Sequence, residues 1–343
     1  MTTHRFTLLA AFCASLLSAH AGTTVSSAPY GAMTSSLSTT GTSGTGLAFP
    51  LISGDVFAGR IASNTTNTLS FETAGLAASL NASEKYYVEI VSGPLEGERY
   101  DLNTATTISS GVATLDLAAA SNSTSNTLAV DALAQARAIV RPHVTLGKLS
   151  AMFSPALVGN ASNTLADGVR IYGGPMGQTS YYLRTDGTWR STPTAADQSS
   201  LVIPPDSSVI VLLRSGAKQW SHLGAVRTNV FRKKLKVGLQ SFATGFPLDL
   251  SAVQIGAFTD PAEAAAVRWT GSDTVAQADT LRVYDAATDT YKINYLRADG
   301  TSWYVSGGST DISATPFLPA QGALLVGRIK ADAGYLIIRP FSL

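Results

Sequence analysis

The sequence predicts an all-β protein, with a small N-terminal β-barrel or sandwich followed by two related β-sandwich domains in tandem. Three observations lead there. Short alternating apolar runs recur along the chain with turn residues between them. A long unit built on an Asp-Gly hairpin occurs twice. Charged residues make up only 14% of the chain while Ser, Thr, Gly and Ala are abundant, as in a folded, weakly charged β protein.

Met1–Ala21 has the form of a secretory signal. His4 and Arg5 precede the apolar run Leu8–Leu17, and Ala19-His-Ala21 offers a small-residue cleavage site. The expectation is a secreted protein, extracellular, periplasmic or at the cell surface, cut near Ala21. The apolar run is too short to span a bilayer, so no transmembrane segment is expected in the mature chain. Cleavage would remove Cys13, the single cysteine, and with it any disulfide or thiolate-held metal.

Residues 22–46 are rich in Ser, Thr and Gly and read as a linker, or as a short strand at Ala28–Met33 that pairs with a neighbour. Residues 47–141 form the N-terminal β domain, with strands expected at Val56–Ala62, Thr68–Phe71, Tyr86–Val91, Arg99–Leu102, Thr106–Ile108, Ala113–Leu117 and Ala136–Val140. Only Ala74–Leu80, Leu128–Gln135 and Asp260–Val267 have helical character.

Residues 142–228 and 229–343 are the two copies. Asp167-Gly-Val-Arg-Ile-Tyr172 answers Asp279-Thr-Leu-Arg-Val-Tyr284, 112 positions later. Tyr181-Tyr-Leu-Arg-Thr-Asp-Gly-Thr-Trp189 answers Asn294-Tyr-Leu-Arg-Ala-Asp-Gly-Thr-Ser-Trp303, and Val209–Leu213 answers Ala323–Val326. Pro142–Leu146 answers Pro247–Leu250 more loosely. This period is too long for a solenoid and suits a small domain. A two-residue turn at Asp186-Gly187 would put Arg184 across from Trp189; the extra residue of the second copy requires a three-residue loop, Asp299–Thr301, to put Arg297 across from Trp303.

Little in the chain points to catalysis. A formal net charge of +1 gives no reason to expect nucleic acid. Arg232-Lys-Lys-Leu-Lys236 alternates with apolar residues and reads as protection of a strand edge, or as a contact for an anionic polymer. After cleavage only His143 and His222 remain, in no metal-ligand or triad arrangement, so neither a metal nor a cofactor is expected. Most Asp residues sit in turn contexts, and Asp285 and Asp289 lack the glycine and distal glutamate of a calcium loop. Tyr182, Trp189, Tyr295 and Trp303, on the two hairpins, are the candidate ligand-stacking residues if exposed, and core residues if buried.

One resemblance covers the mature chain. Ala28-Pro-Tyr-Gly31, Phe49-Pro50, Val56-Phe-Ala-Gly-Arg60, Tyr87–Pro94, Arg141–Gly147 and the two Tyr…Asp-Gly units together resemble an uncharacterised family of paralogous exported proteins of verrucomicrobial type. That resemblance implies secretion and a β architecture, and it brings no catalytic residues with it. The sequence thus leads to a non-enzymatic structural or adhesive protein of the cell envelope or matrix, partnered by itself or by a cell-surface polysaccharide. The alternatives are a polysaccharide-binding module using the hairpin aromatics and a glycoside hydrolase-like enzyme with paired carboxylates.

Overall fold

A computed structural model describes residues 29–38, 44–119, 128–172, 177–192, 194, 196–262, 268–329 and 334–340. Met1–Ala21, expected to be a signal segment, and Cys13 within it lie outside the described residues. The fold is all-β, with a closed six-stranded barrel and several antiparallel sheets. No helix among the described residues is long and apolar enough to cross a membrane.

Two strands precede the barrel, in the stretch that composition marks as a linker. β1 (Tyr30–Leu37) pairs along its full length with residues 218–225, and β2 (Thr45–Ala48) pairs with residues 208–211. Of the two sequence readings of this stretch, the strand is the one observed, and its partner lies in the same chain.

The barrel follows. β3 (Phe57–Asn64), β4 (Thr68–Phe71), β5 (Tyr86–Ile90), β6 (Arg99–Leu102), β7 (Ala113–Asp116) and β8 (Arg137–Pro142) close in the order β3-β4-β7-β6-β5-β8. Its interior is filled by Ile61, Leu69, Val88, Ile90, Tyr100 and Val140 among others. The strand expected at Thr106–Ile108 is instead part of a helix, α1 (Thr104–Ser110). Asn103 caps it by accepting the Thr106 amide at 3.2 Å, and Gly111 ends it in the left-handed region at φ 72°. The helix expected at Leu128–Gln135 is a series of turns. Asp131 and Gln135 adopt positive φ there, and the Asn64 side chain spans the turns by accepting from the Leu133 amide (2.8 Å) and donating to the Ala129 carbonyl (2.7 Å). Ala74–Leu80 contributes one 3₁₀ turn, Ala77–Ser79. Of Asp260–Val267, residues 263–267 lie outside the described residues.

Beyond the barrel come β9 (Val144–Thr145), β10 (Phe153–Ser154), β11 (Gly168–Tyr172), β12 (Gln178–Leu183), β13 (Trp189–Ser191), β14 (Val202–Ile203), β15 (Ser208–Leu212) and β16 (Lys218–Ala225). They form a five-stranded sheet, β13-β12-β11-β15-β2, facing a three-stranded one, β1-β16-β10. The last segment holds β17 (Phe231–Lys234), β18 (Gly238–Phe242), β19 (Thr280–Asp285), β20 (Thr290–Leu296), β21 (Trp303–Val305), β22 (Leu324–Arg328) and β23 (Tyr335–Ile338). Here the sheets are β21-β20-β19-β22-β18 and β17-β23. Strand for strand the two orders match, with β2 in the place of β18 and β1 in the place of β17. The tandem reading therefore holds, with one change of boundary. The first sandwich begins at β1, and the barrel is an insertion between its second and third strands.

The hairpin registers differ from those expected. Leu183 pairs with Trp189, and Leu296 pairs with Trp303. The loops between Arg184 and Thr188 and between Arg297 and Ser302 are each one residue longer than the turn chemistry suggests. The side chains of Asp186 and Asp299 hold the longer loops by accepting the Thr188 and Thr301 amides, at 3.0 and 2.8 Å. Arg184 therefore does not face Trp189, and the guanidinium of Arg297 lies 5.0 Å above Tyr304 instead.

The sandwiches meet sheet to sheet. Val209 and Val211 point into the first core, while Ile210 and Leu212 point the other way onto Tyr284 and Ala323 of the second sandwich. A strand buried on both faces has to be apolar throughout, and Val209–Leu213 is. Backbones come close here, since a Cβ at Gly46 would sit 2.3 Å from the Ala323 amide nitrogen. Ser208 Oγ completes the contact, accepting the Leu324 amide at 2.9 Å and donating to its carbonyl at 3.1 Å.

Candidate functional site

Both hairpin indoles are inside. Trp189 and Trp303 are 0% exposed and sit in the cores of the first and second sandwich. Trp189 Nε1 donates to Ser150 Oγ at 3.3 Å and Trp303 Nε1 donates to the Ala257 carbonyl at 2.6 Å. Burial removes both from the reach of a ligand, so neither can serve as the stacking platform considered from sequence. Tyr295 is 5% exposed and accepts a hydrogen bond from Arg297. Tyr182 is half-buried and lines a cleft with Arg170, Arg214 and Asp289.

The charged side chains converge where the three units meet. Glu89 of β5 is fully buried and ion-paired to Arg141 Nε at 3.1 Å and to Arg227, with Asn229 Nδ2 donating at 3.2 Å. Burial alone would push its carboxyl up. The Arg227, Arg141 and Arg99 guanidiniums outweigh that and hold it at about 2. Arg99 of β6 donates to the Arg232 carbonyl at 2.9 Å, lies 3.6 Å from Asp206, and covers the Phe231 ring at 4.4 Å. The guanidinium of Arg227 lies 4.9 Å from the same ring. Lys233 Nζ reaches Asp206 Oδ2 at 3.0 Å. Burial works against the charge on both partners; Asp206, faced by two cations, stays ionised well below the usual carboxylate range. Arg232 and Lys233 of the basic run are thus committed to this joint rather than to guarding a free edge. Gly97 lets the barrel touch β17, since a Cβ there would stand 2.7 Å from the Val230 carbonyl at φ +89°.

A carboxylate held ionised by three guanidiniums is a poor proton donor and a poor base, so this cluster is a joint and not an acid–base pair. His143 Nε2 is 2.9 Å from Asp101 Oδ1, at the exit from the barrel. His222 packs against Phe49 and Trp220, and burial holds its imidazole down at about 4. Asp285 accepts the Ala287 amide in a turn, and Asp289 is ion-paired to Arg170 at 3.0 Å. No group of three His, Cys, Asp or Glu able to hold a metal occurs among the described residues.

A second concave surface lies beside the joint. A cleft of about 460 Å³ opens between the sandwiches, below the β11–β12 hairpin and beside the end of the basic run. The first sandwich contributes Thr179 and Tyr181 from one face of the hairpin and Tyr172 from the other, and the second contributes Lys234, Lys236 and Gln240. Asp206 is the one carboxylate among its described lining residues and belongs to the joint. Of the hairpin aromatics, Tyr181 lines it, whereas the four stacking candidates Tyr182, Trp189, Tyr295 and Trp303 do not; the joint follows from a topology no local pattern encodes.

Fold and site together define a three-unit β protein, a barrel set into one of two duplicated sandwiches and locked by a buried ionic joint. No protein-family model, no curated protein and no solved structure matches the chain.

Proposed function

We propose that the chain is an exported, non-enzymatic β protein with a structural or adhesive role at the cell envelope or in the extracellular matrix. The supporting observation is where its reactive and aromatic side chains are spent. Glu89, Asp206, Arg99, Arg141 and Arg227 lock three units together, and Trp189 and Trp303 fill cores. An exported scaffold gains from such a joint, because units fixed to one another transmit load without hinging. The signal-like start of the chain agrees with this reading, as does the resemblance of its residue pattern to an exported paralogous family.

The test is co-sedimentation of the mature chain with envelope fractions, run beside product assays on glycan, peptide and ester panels. Envelope association or self-association without turnover is the expected outcome. Turnover lost on substitution of a single carboxylate would overturn it. A second reading, a polysaccharide-binding module, is favoured by one observation: the cleft between the sandwiches combines tyrosines with hydroxyl- and amide-bearing side chains.

A further inference from the structure

We infer that the cleft between the two sandwiches binds an acidic saccharide, with Lys234 and Lys236 receiving its acid group and Tyr172 and Tyr181 receiving its ring. This deepens the adhesive reading above and rests on it for its biological context only. Four features carry it. The volume of about 460 Å³ lies within the range of small-ligand sites, roughly 300–1,000 Å³. Leu201, Val202 and Pro204 give the cleft an apolar floor suited to the C–H face of a pyranose, with half-buried tyrosines beside it.

Third, the cations at its rim are uncommitted. Arg232 and Lys233 belong to the joint, whereas Lys234 and Lys236 take part in no ion pair among the described residues. Glu98 lies near Lys234, but Tyr100 and Arg232 already engage that carboxyl. Asp206, the carboxylate on the floor, is neutralised by Lys233 and Arg99. The cleft therefore presents net positive charge. Fourth, Thr179 and Gln240 add hydroxyl and amide groups to the lining, the Gln240 Nε2 donating to the Lys236 carbonyl at 2.8 Å, and the acceptor Oε1 beside it suits a hydroxyl-rich ligand. A nucleic acid would ask for a cationic stripe following a phosphate backbone, and two lysines at one cleft do not make one.

Calorimetric titration of the mature chain with tetragalacturonate, beside neutral maltotetraose and a tetra-aspartate peptide, tests this. The expected result is binding of tetragalacturonate that weakens as salt is raised, with both comparators at least about tenfold weaker. The double variant Lys234→Ala/Lys236→Ala should lose about tenfold or more and most of the salt dependence. Tyr172→Ala should lose about tenfold at unchanged salt dependence. Both variants are checked for an unchanged melting temperature, and Lys233 is left alone because it holds the joint. Equal affinity for the neutral sugar or the acidic peptide would overturn the inference, as would unaltered binding by the double variant or no binding at millimolar ligand. Reducing-end release in the same mixtures separates the two claims. Cleavage refutes the non-enzymatic reading and leaves the cleft standing, while absent binding with retained envelope association refutes the cleft alone.

Discussion

In the first sandwich the buried Asp167 accepts the amides of Val158, Arg214 and Ser215 at 2.8, 2.7 and 3.1 Å; in the second, Asp279 accepts those of Thr270 and Ile329 at 2.6 and 2.7 Å. The niches coincide, but the cations that answer them do not. Lys218 reaches Asp167 from β16, in the facing sheet, at 3.5 Å, whereas Arg328 reaches Asp279 from the adjoining β22 at 3.1 Å. The difference teaches that this fold fixes a carboxylate at the entry to its central strand through backbone donors. The counter-charge can then come from wherever a side chain is long enough.

The largest test of that comparison removes the cations. Arg328→Met should destabilise by about 3–5 kcal/mol, because it takes the guanidinium away from a fully buried carboxylate, Asp279. Lys218→Met should cost less, because Ser215 Oγ still donates to Asp167 at 2.6 Å. Chemical denaturation reads both, and a Lys218 variant as damaged as the Arg328 one would break the comparison.

A second contrast is titratable. His222 is buried in the first core, where the pairing strand of the second sandwich, β23, offers Leu336 and Ile338. Its folded pKa of about 4 lies below the ordinary 6.5, so its contribution is present above pH 6.5 and lost as pH falls toward 4. The loss is about 3 kcal/mol. Glu89, with a folded pKa of about 2 against 4.5, loses its contribution in a lower window, from pH 4.5 to 2. Stability measured against pH should fall in these two stages, and His222→Leu should erase the upper one only. A smaller effect concerns the contact between the sandwiches. Arg170–Asp289 is a partly exposed pair, and Arg170→Ala should cost below about 1 kcal/mol in thermal unfolding.

Most barrel strands and the duplication were legible because each rests on local alternation or on a repeated string, and burial then follows the same period. Thr106–Ile108 misled because β-branched residues favour strands, while the Asn103 cap and Gly111 terminus decide for a helix. The Asp-Gly turns misled by one residue each, because aspartate side chains stabilise longer loops. The run Val209–Leu213 already carried the signature of a doubly covered strand, although nothing local names its cover. The ionic joint was out of reach, since Glu89 and Arg227 are brought together by chain paths that cross three units. The cleft was half visible: the basic run stood out, while Tyr172 looked like any strand-end tyrosine.

The placement of β1 and β2 has a consequence for assembly. Tyr30 pairs with Ala225 and Thr45 with Val211, so the first sandwich cannot close during synthesis until the chain has been made past residue 225. The barrel, whose strands all lie between residues 57 and 142, has every partner long before then. A nascent chain therefore carries two early strands waiting on late ones, with a finished barrel tethered between them, and the duplicated unit made second has the shorter wait.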